Sequence, residues 1–155
     1  MSGLPMGFHF LPTEEDLIDY LRRKVKKLPL PLSVVPGIVI ECDLYGDKEP
    51  WEIFDPHSTE SFYAFTRLKR RSQSRIERRA GIGTWDGRQT SELEDCDGKV
   101  IGFAKYFVFK VVEKLTSYDY NYGRWVMHEY SLVISEQVGT LFNYFLQRFH
   151  KSPCF

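Results

Sequence analysis

Thirteen consecutive residues, Arg67 to Arg79, hold seven cations (Arg67, Lys69, Arg70, Arg71, Arg75, Arg78 and Arg79) against one acid, Glu77. Guanidinium groups at this density suit anionic oxygens. Each can lay a two-pronged hydrogen bond on a phosphate, and several together release the counterions condensed on a nucleic acid. Ser72, Gln73 and Ser74 interrupt the run as a turn would. A solvated loop accounts for most charge runs, so the segment alone leaves nucleic-acid contact and plain solvation both open.

Other chemistries find less support. His128 and Glu129 are adjacent, but the histidines fall at positions 9, 57, 128 and 150, and none pairs at helical metal spacing. On a strand with apolar neighbours, His128 reads as a hydrogen-bonded core histidine. Cys42, Cys96 and Cys154 lie more than fifty residues apart, which gives neither a metal site nor a disulfide scaffold and suits a reducing compartment. Gly81-Ile82-Gly83 lacks the third glycine and following helix of a dinucleotide site, so close strand packing or a bulge before Trp85 is the expectation. No pair of carboxylates is spaced for general acid and base work. No cofactor, metal or small-molecule substrate is expected, and no enzyme.

The chain has 155 residues with 21 basic and 21 acidic side chains, so its formal charge is zero. That argues against a protein coated in nucleic acid, but the charges are segregated: acids gather at Glu92, Glu94, Asp95 and Asp97. Twelve Phe, nine Tyr and three Trp supply enough apolar area for one core without staples. The N-terminus lacks an apolar stretch behind a basic flank, and no apolar run reaches the length of a membrane span.

These residues need elements to position them. Thr13 followed by Glu14, Glu15 and Asp16 reads as an N-cap with a capping-box-like partner at Asp16. Leu17, Leu21, Val25 and Leu28 then form one apolar stripe, so an amphipathic helix is expected from 13 to 27, stopped by Pro29, Pro31 and Pro36. A short helix or strand follows over 39–45, with aromatic anchors at Trp51 and Phe54. Strands are expected over 61–66, 100–112, 124–133 and 142–149. On the 100–112 strand Phe103, Phe107 and Phe109 share one face, and on the next Trp125, Met127 and Glu129 do. The stretches 117–123 and 135–140 read as connections. Strands in series without intervening helices predict an antiparallel sheet in an α+β fold.

Five blocks of the chain resemble the NAC family of plant transcription factors. Met6-Gly7-Phe8-His9-Phe10-Leu11-Pro12-Thr13-Glu14-Glu15-Asp16-Leu17 is similar to the opening P-G-F-R-F-x-P-T-D-E-E-L. Cys42-Asp43-Leu44-Tyr45 with Glu49-Pro50-Trp51-Glu52 resembles D-L-Y then D-P-W-E, and Phe62-Tyr63-Ala64-Phe65 matches the aromatic strand before the basic segment. Trp125-Val126-Met127-His128-Glu129-Tyr130-Ser131-Leu132 resembles W-I-M-H-E-Y-R-L, the most specific of the matches. Tyr144-Phe145-Leu146-Gln147-Arg148-Phe149-His150-Lys151 is a degraded form of the closing W-V-L-C-R-I-Y-K. The blocks keep family order and cover nearly the whole chain.

The resemblance implies a twisted antiparallel sheet flanked by helices over residues 4–152, with 153–155 beginning a tail. It further implies a nuclear protein that binds double-stranded DNA and forms homo- or heterodimers with other NAC proteins. A strand edge would enter the major groove, which admits a β element. In the family that edge reads W-K-A-T-G-T-D; here it is Trp85-Asp86-Gly87-Arg88-Gln89-Thr90-Ser91. Trp85 and Thr90 keep family residues, Asp86 reverses a charge, and Arg88 and Gln89 bring side chains that pair with purine edges. Arg75 and Arg78 fall on basic family positions against the DNA backbone, and Lys105 where the family has a lysine near DNA. Arg70, Arg71 and Arg79 are added from charge alone. The dimer would draw on Phe8 and on a pair between His9, which replaces the family arginine, and Asp16. A histidine titrates near physiological pH, so that pair is conditional.

Three functions stand against one another: a duplex-DNA-binding dimer, a NAC-like dimerisation decoy that has lost base readout at Asp86, and an enzyme without a visible site. An aromatic platform for single strands is a further option, but the strand alternation of those aromatics favours a core.

Overall fold

The computed structural model describes residues 9–67, 78–111, 124–133 and 144–152. Helix α1 (Glu14–Val25) begins as its sequence directs. Thr13 Oγ1 accepts from the Asp16 amide at 3.1 Å, and the Asp16 carboxylate accepts from the Thr13 amide at 2.9 Å, closing the capping box. The helix ends earlier than the stripe suggests. Lys26 caps it and Lys27 takes a left-handed φ of 58°, so Leu28 lies beyond the last turn and is 52% exposed. The buried face is instead Leu17, Ile18, Tyr20 and Leu21.

Two short elements follow, β1 (Val39–Glu41) and α2 (Pro50–Ile53). The sheet continues with β2 (Phe62–Arg67), β3 (Arg79–Ala80), β4 (Gly83–Glu94), β5 (Val100–Val111), β6 (Arg124–Leu132) and β7 (Tyr144–Ser152). Their spatial order is β1-β2-β7-β6-β5-β4-β3. Every pairing is antiparallel except the first: β1 runs parallel to β2. The sheet is therefore mixed. The 20 residues from Cys42 to Ser61, with α2 among them, give the chain the length to return in the same direction. The connections expected at 117–123 and 135–140 lie outside the described residues.

Both faces of the sheet are packed. On one, α1 buries Leu17, Ile18 and Leu21 against Tyr63, Phe65, Leu93, Tyr130, Leu132 and Leu146. Complete burial of each such aliphatic side chain stabilises by about 1.5–3 kcal/mol. Gly102 of β5 admits the helix: a Cβ there would sit 2.5 Å from Ile18 Cδ1. On the other face, Leu44, Tyr45 and Phe54 cover Trp85, Phe107, Trp125, Met127 and Phe149. The phenyl rings of Phe54 and Phe149 lie 4.8 Å apart. Trp51 of α2 packs edge-on to Phe109, so the aromatic anchors expected near 51 and 54 hold the second face.

Candidate nucleic-acid interface

Strand β4 is the longest feature of the sheet's open side. Its inner edge pairs with β5 throughout, from Gly83↔Val111 to Glu94↔Val100. Its outer edge meets β3 only at Thr84 and Gly83, and the Trp85 amide donates to the Arg78 carbonyl at 3.0 Å. Beyond Trp85 that edge has no strand partner among the described residues, and Gly87 to Glu92 are all exposed. The β3–β4 turn is tight. Gly81 has φ 59°, and a Cβ on it would meet the Glu49 carboxyl at 2.4 Å; Glu49 Oε1 accepts from the Ile82 amide at 3.2 Å. The close packing expected of these glycines is what the turn uses.

The register slips between Gly87 and Gln89, leaving Arg88 as an extra residue opposite Phe107 and Tyr106. Such a bulge re-aims side chains and sharpens local twist. Gln89 opposes Tyr106 and Thr90 opposes Lys105, so these two exposed side chains leave opposite faces of the strand. The Lys105 ammonium lies 5.3 Å from the Phe107 ring centre. It crosses over Gly87, where a Cβ would approach Lys105 Cε to 2.8 Å. Glycine at 87 makes room for that lysine.

Asp86 has its own cations. Its Oδ2 is 3.0 Å from Lys110 Nζ and 3.3 Å from Arg88 Nη2. The hydrogen bond from Lys110, and then the charges of Lys110 and Arg88, hold its carboxyl below the usual range despite some desolvation. Its negative charge is thus countered within the sheet, and Arg88 is partly engaged before any ligand arrives.

Two residues expected at the interface lie inside the protein. Trp85 is 3% exposed and packs against Phe109 and Phe149, at 5.1 and 5.4 Å between ring centres. Arg78 is turned inward. Its Nη2 donates to Glu129 Oε1 at 2.9 Å, while Nη1 donates to Glu129 Oε2 and, at 2.6 Å, to the Tyr45 hydroxyl. The guanidinium also stacks 4.5 Å from the Phe107 ring centre. Its fork is filled by a carboxylate of the sheet, where a phosphate had been expected. Arg79 is exposed, with Nε donating to the Gly81 carbonyl at 3.2 Å. Arg70, Arg71, Arg75 and Phe8 lie outside the described residues.

At the other side of the sheet, His9 Nδ1 lies 3.5 Å from Glu60 Oε1, and Asp16 serves the α1 cap. In the single chain each therefore has a partner other than its expected one. His9, Phe10, Ile38, Glu60 and Tyr63 line a cleft of about 330 Å³.

Sequence reasoning did not single out Glu129, Tyr45, Gln147 or Lys110 as functional. Glu129 had a readable signal: an acid on the same strand face as Trp125 and Met127 must have a partner, because a lone buried carboxylate is too costly. His128 is half-buried on the α1 face, its ring stacked with His150 at 5.7 Å and 14°. No group of three or more His, Cys, Asp or Glu among the described residues could hold a metal ion.

A curled seven-stranded mixed sheet with α1 on one face defines an α+β domain. The family model described as No apical meristem (NAM) protein matches residues 5–132. NAC domain-containing protein 41 of Arabidopsis thaliana is 38% identical over 139 residues, which is 86% of this chain and 48% of that protein. NAC transcription factor 47 of the same plant is 34% identical over 144 residues, 86% of this chain and 38% of that protein. NAC domain-containing protein JA2L of Solanum lycopersicum is 32% identical over 140 residues, 84% of this chain and 36% of that protein. The chain belongs to the NAC family of plant proteins, and it spans less than half the length of these relatives.

Proposed function

We propose that this chain is the DNA-binding domain of a nuclear transcription factor and performs no chemical step. It grips duplex DNA through the basic segment and the outer edge of β4, and it dimerises through its N-terminal block. The observation that carries the reading is the exposed edge from Gly87 to Glu92, without a strand partner among the described residues and bulged at Arg88, next to the point where the basic segment rejoins the sheet. The name of the relative NAC transcription factor 47 supports it. Arg70, Arg71, Arg75, Arg79 and Lys105 are assigned to phosphates, and Arg88, Gln89 and Thr90 to the groove. Arg78 and Trp85 support that surface from within.

Titration of a fluorescent random-sequence duplex at several salt concentrations tests this. The logarithm of the association constant should fall linearly with that of the salt, by about 0.9 per phosphate neutralised. Absence of salt-dependent binding at low ionic strength would overturn the reading. The Asp86 pairing with Lys110 and Arg88 favours a second reading, a decoy that dimerises with NAC partners yet binds DNA weakly. Adding a DNA-binding NAC protein separates the two, since a decoy would lower the partner's binding. For the dimer, His9→Ala is the cleaner probe, because Asp16 is also a helix cap. Sedimentation should show weaker association in that variant.

A further inference from the structure

Four polar side chains meet under β5 and β6, away from the exposed edge. Glu129 is 4% exposed, Tyr45 and Gln147 are fully enclosed, and the Arg78 side chain is 15% exposed. The Tyr45 hydroxyl accepts from Arg78 and donates to Glu129 Oε2 at 3.2 Å. Burial, then the Glu129 carboxylate, pushes its phenol well above its ordinary range, so it stays protonated and able to donate. Gln147 Nε2 reaches the same carboxylate oxygen at 3.4 Å.

Arg78 is also where the basic segment returns to the sheet. Its carbonyl accepts from the Trp85 amide at 3.0 Å and the Thr84 hydroxyl at 3.2 Å. One residue is thus tied to β4 through its backbone and to β6 through its side chain. Its end-on fork, made by the two terminal nitrogens, is already occupied by Glu129.

We propose that Glu129 is a positioning residue for DNA binding: through Arg78, with Tyr45 as the shared hydroxyl, it fixes where the basic segment joins the β4 edge. Neither Glu129 nor Arg78 touches DNA. The inference rests on the DNA-binding reading above and assigns a buried network, outside the contact surface, to its affinity.

The test separates affinity from phosphate count. Removing one charge of a buried pair strands the other, so the informative variant is the double one, Arg78→Met with Glu129→Gln, which removes both charges at similar volume. Tyr45→Phe, lacking one hydroxyl, is the milder companion. Each is titrated with the random duplex well below its melting transition, so that loss of stability alone leaves the binding of the folded protein unchanged. The double variant should bind about tenfold more weakly and Tyr45→Phe a few-fold more weakly, both with the wild-type salt slope. A slope shallower by about 0.9 in the double variant would mean Arg78 neutralises a phosphate, and the inference fails. Wild-type affinity in both variants, or in Tyr45→Phe should the double variant not fold, overturns it equally. If the wild type shows no salt-dependent binding, the DNA-binding reading itself falls, an outcome distinct from the others.

Discussion

At Asp86 a carboxylate lies within 3.3 Å of two cations, Lys110 and Arg88, all of them substantially exposed. Exposed pairs of this kind contribute little, being screened by solvent, so their effect on binding is bounded. Asp86→Asn should free both cations and raise duplex affinity up to about fivefold, with a salt slope steeper by one or two contacts. An unchanged affinity and slope would show that the pairing does not restrain binding. Asp86→Lys should raise affinity further, since it adds a third cation beside the other two. Arg88 carries a different expectation. As the extra residue of the bulge it is re-aimed by the backbone, and loss of a bidentate base contact costs about 1–3 kcal/mol at particular base pairs. Binding-site selection with Arg88→Ala should return a motif relaxed at those positions; an identical motif would remove Arg88 from the reading set.

At the scale of elements, the start of α1 and four strands, β2, β5, β6 and β7, are legible in the sequence, while β3, the helix end and the strand partners are not. Thr13 and Asp16 cap the helix as their types and spacing predict, because a capping box is a local arrangement. The helix terminus was misjudged because Lys27 adopts φ 58°, a conformation that glycine usually marks and lysine does not. The parallel pairing of β1 with β2 depends on residues more than twenty positions apart, which no local pattern encodes. The β4 edge was found by resemblance, but its bulge, and the burial of Trp85 and Arg78 beneath it, required the register and the packing. The cap gives a direct test of local reasoning. Thr13→Ala should cost about 1 kcal/mol and lower the melting temperature by about 2–4 °C, as expected for a domain of this size. Calorimetry showing no shift would mean that α1 is held by its packing alone.

At the scale of the whole molecule, stability is tied to pH through the strand pair β6–β7. His128 and His150 stack on the α1 face, with Tyr106 beside His128 at 5.3 Å between ring centres and Arg148 directly opposite it in register. Burial, then the Arg148 and His150 charges, lowers His128 from its ordinary 6.5 to about 4. His150 is lowered as well, by burial first and then by Arg148. Both imidazoles are thus folded in the neutral form, and between about 4 and 6.5 the unfolded chain binds protons that the folded chain refuses. Stability is therefore complete above the ordinary histidine value, declines as pH falls through that window and stops declining once His128 itself protonates. A shift of this size would weigh fully on stability only for a ring shut off from water, and this one is half-buried. Solvent screening reduces the expected loss to about 1–2 kcal/mol. Carboxylates also titrate towards the acid end, so the comparison must be made against a variant. Denaturant unfolding of wild type and His128→Gln at pH 7, 5.5 and 4.5 isolates the histidine. The wild type should lose stability faster than the variant across that series. Parallel curves would mean that His128 titrates normally in the folded sheet.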